Sequence, residues 1–141
     1  MALKKYDPKN VVVIVGAIII NSGFAPDTFV EVERDEDAFT KSVGADGEVT
    51  RTRNRNKTGQ IRITLQQSSE TNALLSALAL IDESTGDGVV PCAVKDLGGL
   101  TLHAAELGWV KKVPVSGFGK DLGTREWVID CGDVTMFDAG N

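Results

Sequence analysis

The feature that most constrains this chain is the run Val11–Ile20 (VVVIVGAIII), in which eight of ten residues are Val or Ile. Branching at Cβ leaves these side chains stiff at χ1 and favours a pleated strand over a helix. The run is too short to cross a bilayer as a helix. Lys4, Lys5 and Lys9 before it and the small residues around Gly23–Ala25 after it imitate a signal peptide. Signal cores favour Leu and Ala, however, and Tyr6-Asp7-Pro8 interrupts that pattern. The run therefore reads as a strand buried on both faces, in a soluble chain made in the cytoplasm. That compartment would keep Cys92 and Cys131 reduced, and both suit buried positions.

A chain of 141 residues has room for one domain, spanning 1–141. With 42% hydrophobic and 25% charged residues it is globular in type rather than disordered. Fifteen Lys and Arg against twenty Asp and Glu give a net charge of -5, which disfavours general binding to nucleic acid. Two Cys and the single His103 leave almost nothing for a metal site or a disulfide scaffold, so no metal or other cofactor is expected.

Short strand patterns recur along the chain. Thr28–Glu33 alternates apolar and acidic residues, and Gln60–Gln66 sets Ile61, Ile63 and Leu65 against Arg62 and Thr64. Ala38–Val43 and Glu48–Thr52 flank Gly44-Ala45-Asp46-Gly47, where Asp-Gly signals a hairpin whose two central positions need φ > 0. Later strands are expected at Val89–Asp96, Leu100–Ala104, Trp109–Val115, Glu126–Asp130 and Val134–Phe137, with a turn at Gly98-Gly99. One helix interrupts them. Ser69 can cap it, Glu70 suits its positive first turn, and Leu74, Leu75, Leu78 and Ile81 form a stripe. The turn-forming residues of Asp82–Gly88 should stop it, and its stripe should plug an open face of the β-structure. The expected fold is α+β and mostly β: a β-barrel or two-sheet sandwich with one flanking helix and an extended hairpin arm.

That arm, around residues 45–59, fits no monomer core. In an extended VTRTRNRNKT, Arg51, Arg53, Arg55 and Lys57 share one face and polar residues share the other. Neither face offers apolar burial to offset the entropy of ordering it. Just upstream, Glu31, Glu33, Asp35, Glu36 and Asp37 form an acidic block. Three readings stay open: a solvated hairpin tip, a phosphate-backbone contact, or an arm that orders on another copy of the chain. The absence of interleaved aromatic residues weighs against the second.

Catalytic motifs fail individually. Gly117-Phe118-Gly119-Lys120-Asp121 lacks the Ser or Thr that must follow a phosphate-loop Lys, and Pro114 stands where its first glycine belongs. No Gly-x-Ser-x-Gly turn occurs. His103 lies in an alternating apolar stretch without a partner motif, and reads as a structural or interface residue. The chain is not expected to be an enzyme.

The run KTGQIRITLQQSSETNALLSAL (Lys57–Leu78) resembles the tail tube proteins of contractile-tailed bacteriophages. FTKSVGADGEV (Phe39–Val49) and VKDLGGLTLHAAELGWVKKVPV (Val94–Val115) agree with it, and Trp127 in a β context is compatible. The resemblance implies a structural virion protein that forms six-membered rings stacked into a hollow tube inside the tail sheath. The tape-measure protein and then DNA would occupy the lumen without specific binding. It further implies that the arm reaches an adjacent ring, with Arg51, Arg53, Arg55 and Lys57 as contacts; by the separation of charge along the chain, Asp35, Glu36 and Asp37 are the complementary candidates. An acidic subunit repeated many times would repel phosphate, and Glu31 and Glu33 are the candidates to face the lumen. The tail of the virion, assembled in the host cytoplasm, would be its place, with no membrane partner. Related readings are a ring or terminator protein, or the inner tube of a contractile injection system. A reading from another class is a small nucleic-acid-binding β-barrel.

Overall fold

The structure is a computed structural model and describes residues 3–140. The run Val11–Ile20 is not one strand but a hairpin: β1 (Val11–Val15) turns at Gly16-Ala17 and pairs antiparallel with β2 (Ile18–Ile20), Val13 opposite Ile20 and Val15 opposite Ile18. Gly16 has φ 60°, in the left-handed region that branched residues avoid, so the one glycine in the run sets the reversal. Burial alternates along β1, with Val13 and Val15 in the core and their neighbours half-buried, so the strand is not buried on both faces.

The remaining strands are β3 (Val30–Arg34), β4 (Phe39–Val43), β5 (Val49–Arg53), β6 (Gly59–Gln66), β7 (Val90–Asp96), β8 (Leu102–Lys112), β9 (Thr124–Cys131) and β10 (Val134–Phe137). The main antiparallel sheet has the order β2-β1-β7-β8-β9-β6-β3, with β10 on β8, and β4-β5 stands apart as a two-stranded sheet. The main sheet curls. After β2 the chain crosses to its far end, where Phe24 bridges Leu65 and Ala25 N–H donates to Thr64 O at 3.0 Å. That link draws the ends together without closing a barrel.

Leu100–Ala104 and Trp109–Val115, expected as separate strands, are largely one strand, β8. Glu106-Leu107-Gly108 reads as a break but is absorbed where β8 changes neighbours, passing from β10 at Leu102–Ala105 to β9 at Gly108–Lys112. Gly108 is opposite Cys131, and a Cβ there would collide with the Cys92 sulfur. Both thiols are buried, and burial raises them to about 11 (Cys92) and about 12 (Cys131), away from reactive thiolate chemistry.

Inside the curl, Ile61, Ile63 and Leu65 of β6 meet Trp127 and Ile129 of β9, and helix α1 (Thr71–Thr85) packs on the same core, closest to β8 and β2. Leu75 and Ala79 are buried and Leu78 packs on the core, whereas Leu74 and Ile81 of the expected stripe are half exposed. Asp82 does not end the helix. Its Oδ1 accepts from Gly88 N–H at 3.1 Å, and the helix runs on to Gly86, whose φ of 76° makes the left-handed cap.

The segment Leu65–Asn72 locks the helix start. Asn72 accepts from Trp127 Nε1 at 2.9 Å and donates through Nδ2 to Gln66 O and Gln67 O, at 3.0 and 3.2 Å. Ser69 Oγ accepts from Thr71 N–H at 3.3 Å, and Gln67 Oε1 accepts from Gly123 N–H at 3.0 Å. Among the described residues, no helix is long and apolar enough to cross a membrane.

Candidate functional site

The sequence arm is the return half of a complete hairpin. β4 and β5 pair Phe39 with Arg53, Lys41 with Arg51 and Val43 with Val49, so these six residues share one face. Thr40, Ser42, Thr50 and Thr52 share the other. Every residue of both strands is exposed. The Arg51 guanidinium lies 4.2 Å from the Phe39 ring centroid and that of Arg53 lies 5.9 Å from it. An aromatic residue therefore does accompany the cations, from the opposing strand. At the tip only Gly47, with φ 87°, is left-handed, and Gly44 N–H donates to Glu48 O at 2.8 Å to close a loop of three residues, 45–47. The expected pair of positive-φ positions does not form.

Arg55 and Lys57 lie beyond β5, so the four cations do not share one strand face. From Asn54 the chain makes local side-chain turns: Asn54 Oδ1 accepts from Asn56 N–H and Asn56 Oδ1 from Thr58 N–H, both at 3.0 Å. The acidic block folds onto this stem. Glu36 Oε2 accepts from the Nδ2 atoms of Asn54 and Asn56, each at 2.9 Å, which holds its carboxyl below the usual range. Asp35 Oδ2 accepts from Thr58 Oγ1 at 2.8 Å, and Asp37 is exposed nearby in sequence. Asp35 and Glu36 thus already serve their own chain.

The outward face of the main sheet divides in two. Across β3, β6, β9 and the far half of β8 it is mainly polar, with Val128 and Trp109 half-buried among the charged residues. Arg62 bridges Glu31 at 3.5 Å and Glu33 at 3.0 Å, and Gln60 Nε2 donates to Glu33 at 3.0 Å. Glu126, Asp130 and Lys112 belong to the same face by register. The two candidate lumen carboxylates are therefore surface residues with a shared cation. Across β2, β1, β7, the near half of β8 and β10, the outward face is mostly apolar. Ile19, Ile14, Ala93, Ala104 and Thr135 stand in one row across five strands. Leu102 and Phe137 are paired one step along and exposed. A groove of about 540 Å³ lies over this row, with Glu106 and Asp133 in its lining.

His103 is buried on the inward side and its Nδ1 has no hydrogen-bond partner. Burial lowers its pKa, against a smaller opposing effect of Asp138. Among the described residues, no group of three His, Cys, Asp or Glu is arranged to hold a metal. Sequence reasoning passed over Phe39 and Lys41 as partners of the arginines, and over Glu106 and Asp133. The alternation of Phe39, Lys41 and Val43 was visible, but the cross-strand register that joins them to Arg51 and Arg53 was not.

A model of the family described as the bacteriophage PhiTE tail tube protein matches residues 14–138. The structural protein ORF10 of Pseudomonas phage KPP10 is 33% identical over 143 residues, spanning 96% of this chain and 83% of the relative. The sheath/tube terminator of an extracellular contractile injection system is similar in structure, with TM-score 0.61 and 11% identity, covering 98% of this chain and 100% of that one. A chain from the virion of a native gene transfer agent particle gives TM-score 0.59 at 10% identity, covering 95% and 100%. At such identities the two structures establish a shared fold.

Proposed function

Because the chain belongs to the bacteriophage PhiTE tail tube protein family, we propose that its copies form six-membered rings that stack into the tail tube. It is a structural protein of the virion tail. The observation that carries self-assembly is the β4–β5 hairpin, an ordered two-stranded sheet with every residue exposed. An isolated two-stranded hairpin is marginal in water, so this one is suited to completion by a neighbour. In this reading Arg51, Arg53, Arg55 and Lys57 contribute to contact between rings, with Asp35 and Glu36 holding the base of the arm through Thr58, Asn54 and Asn56.

The polar half of the sheet face suits a lumen through which tape-measure protein and then DNA pass without adhering. Its carboxylates Glu31, Glu33, Glu126 and Asp130 outnumber Arg62 and Lys112, and a ring would repeat that field. The tail sheath would enclose the tube, and no enzymatic step is involved.

Negative-stain microscopy of the purified protein tests this, with rings and tubes expected. A strictly monomeric species at high concentration would overturn it. A terminator role is the second reading, favoured by the likeness to the sheath/tube terminator fold. It predicts single rings that never elongate.

A further inference from the structure

If the hairpin reaches another copy, something must receive it, and the acidic block of residues 35–37 is poorly placed to do so. Asp35 and Glu36 already accept hydrogen bonds from Thr58, Asn54 and Asn56 of their own stem. The hairpin face to be matched is specific: Lys41 directly opposite Arg51, with Arg53 two residues on, among Phe39, Val43 and Val49. Like charges placed opposite one another on paired strands are unfavourable unless a countercharge joins them.

The apolar half of the sheet carries the converse pattern at its Glu106–Asp133 end, while Lys95, its one cation by register among the described residues, lies at the opposite end beside Leu102 and outside the groove. Val134 pairs with Ala105, so one step beyond that rung Asp133 stands beside Glu106, two carboxylates on neighbouring strands. Both line the groove of about 540 Å³ over Ile14, Ala93 and Ala104. Among the described residues, the salt bridges are those of Arg62 with Glu31 and Glu33, so neither Glu106 nor Asp133 forms one. We propose that this outward face of β1, β7, β8 and β10 receives the hairpin of a second copy, with Lys41, Arg51 and Arg53 against Glu106 and Asp133. Phe39, Val43 and Val49 then cover the row of Ile14, Ala93 and Ala104.

Other surfaces match less well. The groove of about 720 Å³ beside Phe24 and Phe29 has Lys9 as its charged lining residue, of the same sign as the arm. The opening beside His103 has Asp27 and Asp138 but no flat row of small residues to seat a two-stranded ribbon. Two sheet faces pack about 10 Å apart with their side chains interdigitated, which a floor of Ala and Ile permits.

The proposal rests on the tube reading, and charge reversal separates the two. Sedimentation and microscopy would compare the native chain with Glu106→Lys/Asp133→Lys, with Lys41→Glu/Arg51→Glu, and with an equimolar mixture of the two variants. Circular dichroism confirms that each variant folds. Each variant alone should need at least a tenfold higher concentration to assemble, and mixing should restore assembly. Native chains that assemble while the Glu106→Lys/Asp133→Lys variant assembles equally well would overturn the docking face alone. Loss in Asp27→Lys/Asp138→Lys with no loss in Glu106→Lys/Asp133→Lys would also overturn it, moving the acceptor to the opening beside His103. Native chains that never associate would overturn the tube reading and this face with it.

Discussion

Helix α1 and the β4–β5 hairpin are both appended to one curled sheet, and they are held by opposite means. The helix buries Leu75 and Ala79 in the core and ties its first turn to Trp127 through Asn72. The hairpin buries nothing and is tied only at its base, by Asn54, Asn56 and Thr58 to Glu36 and Asp35. The contrast separates what makes the subunit fold from what is available for assembly. A chain whose core is complete without a segment is free to use that segment elsewhere.

Substitutions can break this contrast, and the largest effect belongs to the helix. Leu75→Ala should cost about 2–5 kcal/mol by chemical denaturation, because a fully buried Leu leaves a cavity. Asn72→Ala should cost about 1–3 kcal/mol, since it strands the Trp127 Nε1–H and frees two backbone carbonyls. Combined replacement of Arg51, Arg53 and Arg55 by Ala should leave unfolding within about 0.5 kcal/mol of the native chain while ring stacking, seen by microscopy, is lost. Unchanged tubes from that variant would remove the arm from assembly.

The smallest effect is local and depends on pH. Hydrogen bonds from Asn54 and Asn56 depress the Glu36 carboxyl below its ordinary 4.5, so the charged form is favoured in the folded stem. Its contribution is complete above the unfolded value and is lost as pH falls through the lower folded one. With the intrinsic pH dependence of exchange divided out, amide protection at residues 54–58 should therefore fall on acidification below about pH 4.5, while that of β6 holds. In Glu36→Gln that acid step should vanish.

Much of the sheet was legible because β-branched residues and alternation report strands directly. Turns inside apolar runs were less so. Val11–Ile20 is nearly uniform in residue type, so only Gly16 marked the reversal, and a glycine inside a strand pattern is also compatible with continuity. The expected helix stripe holds at Leu75 and Leu78 and fails where polar residues face inward: Asn72 is bonded to Trp127 and Asp82 to the Gly88 amide. Leucine spacing alone therefore points to Leu74 and Ile81, which lie half exposed. The arm is recognisable from its want of an apolar face, yet the alternation of its four cations suggests a single strand face. The face they belong to is built across two, and depends on a register that composition does not encode.

The hairpin is joined to β3 by residues 35–38 and to β6 by residues 54–58, and those two strands are themselves paired over five residues. A pull on its tip along the direction of those strands would displace both together and leave their mutual register undisturbed. The load falls instead on the ladder between β6 and β9, where eight residue pairs from Gly59–Cys131 to Gln66–Thr124 must slip together rather than open one by one. Mechanically the arm is a tether rooted beside the longest seam of the sheet, which is where tension on its tip would be borne.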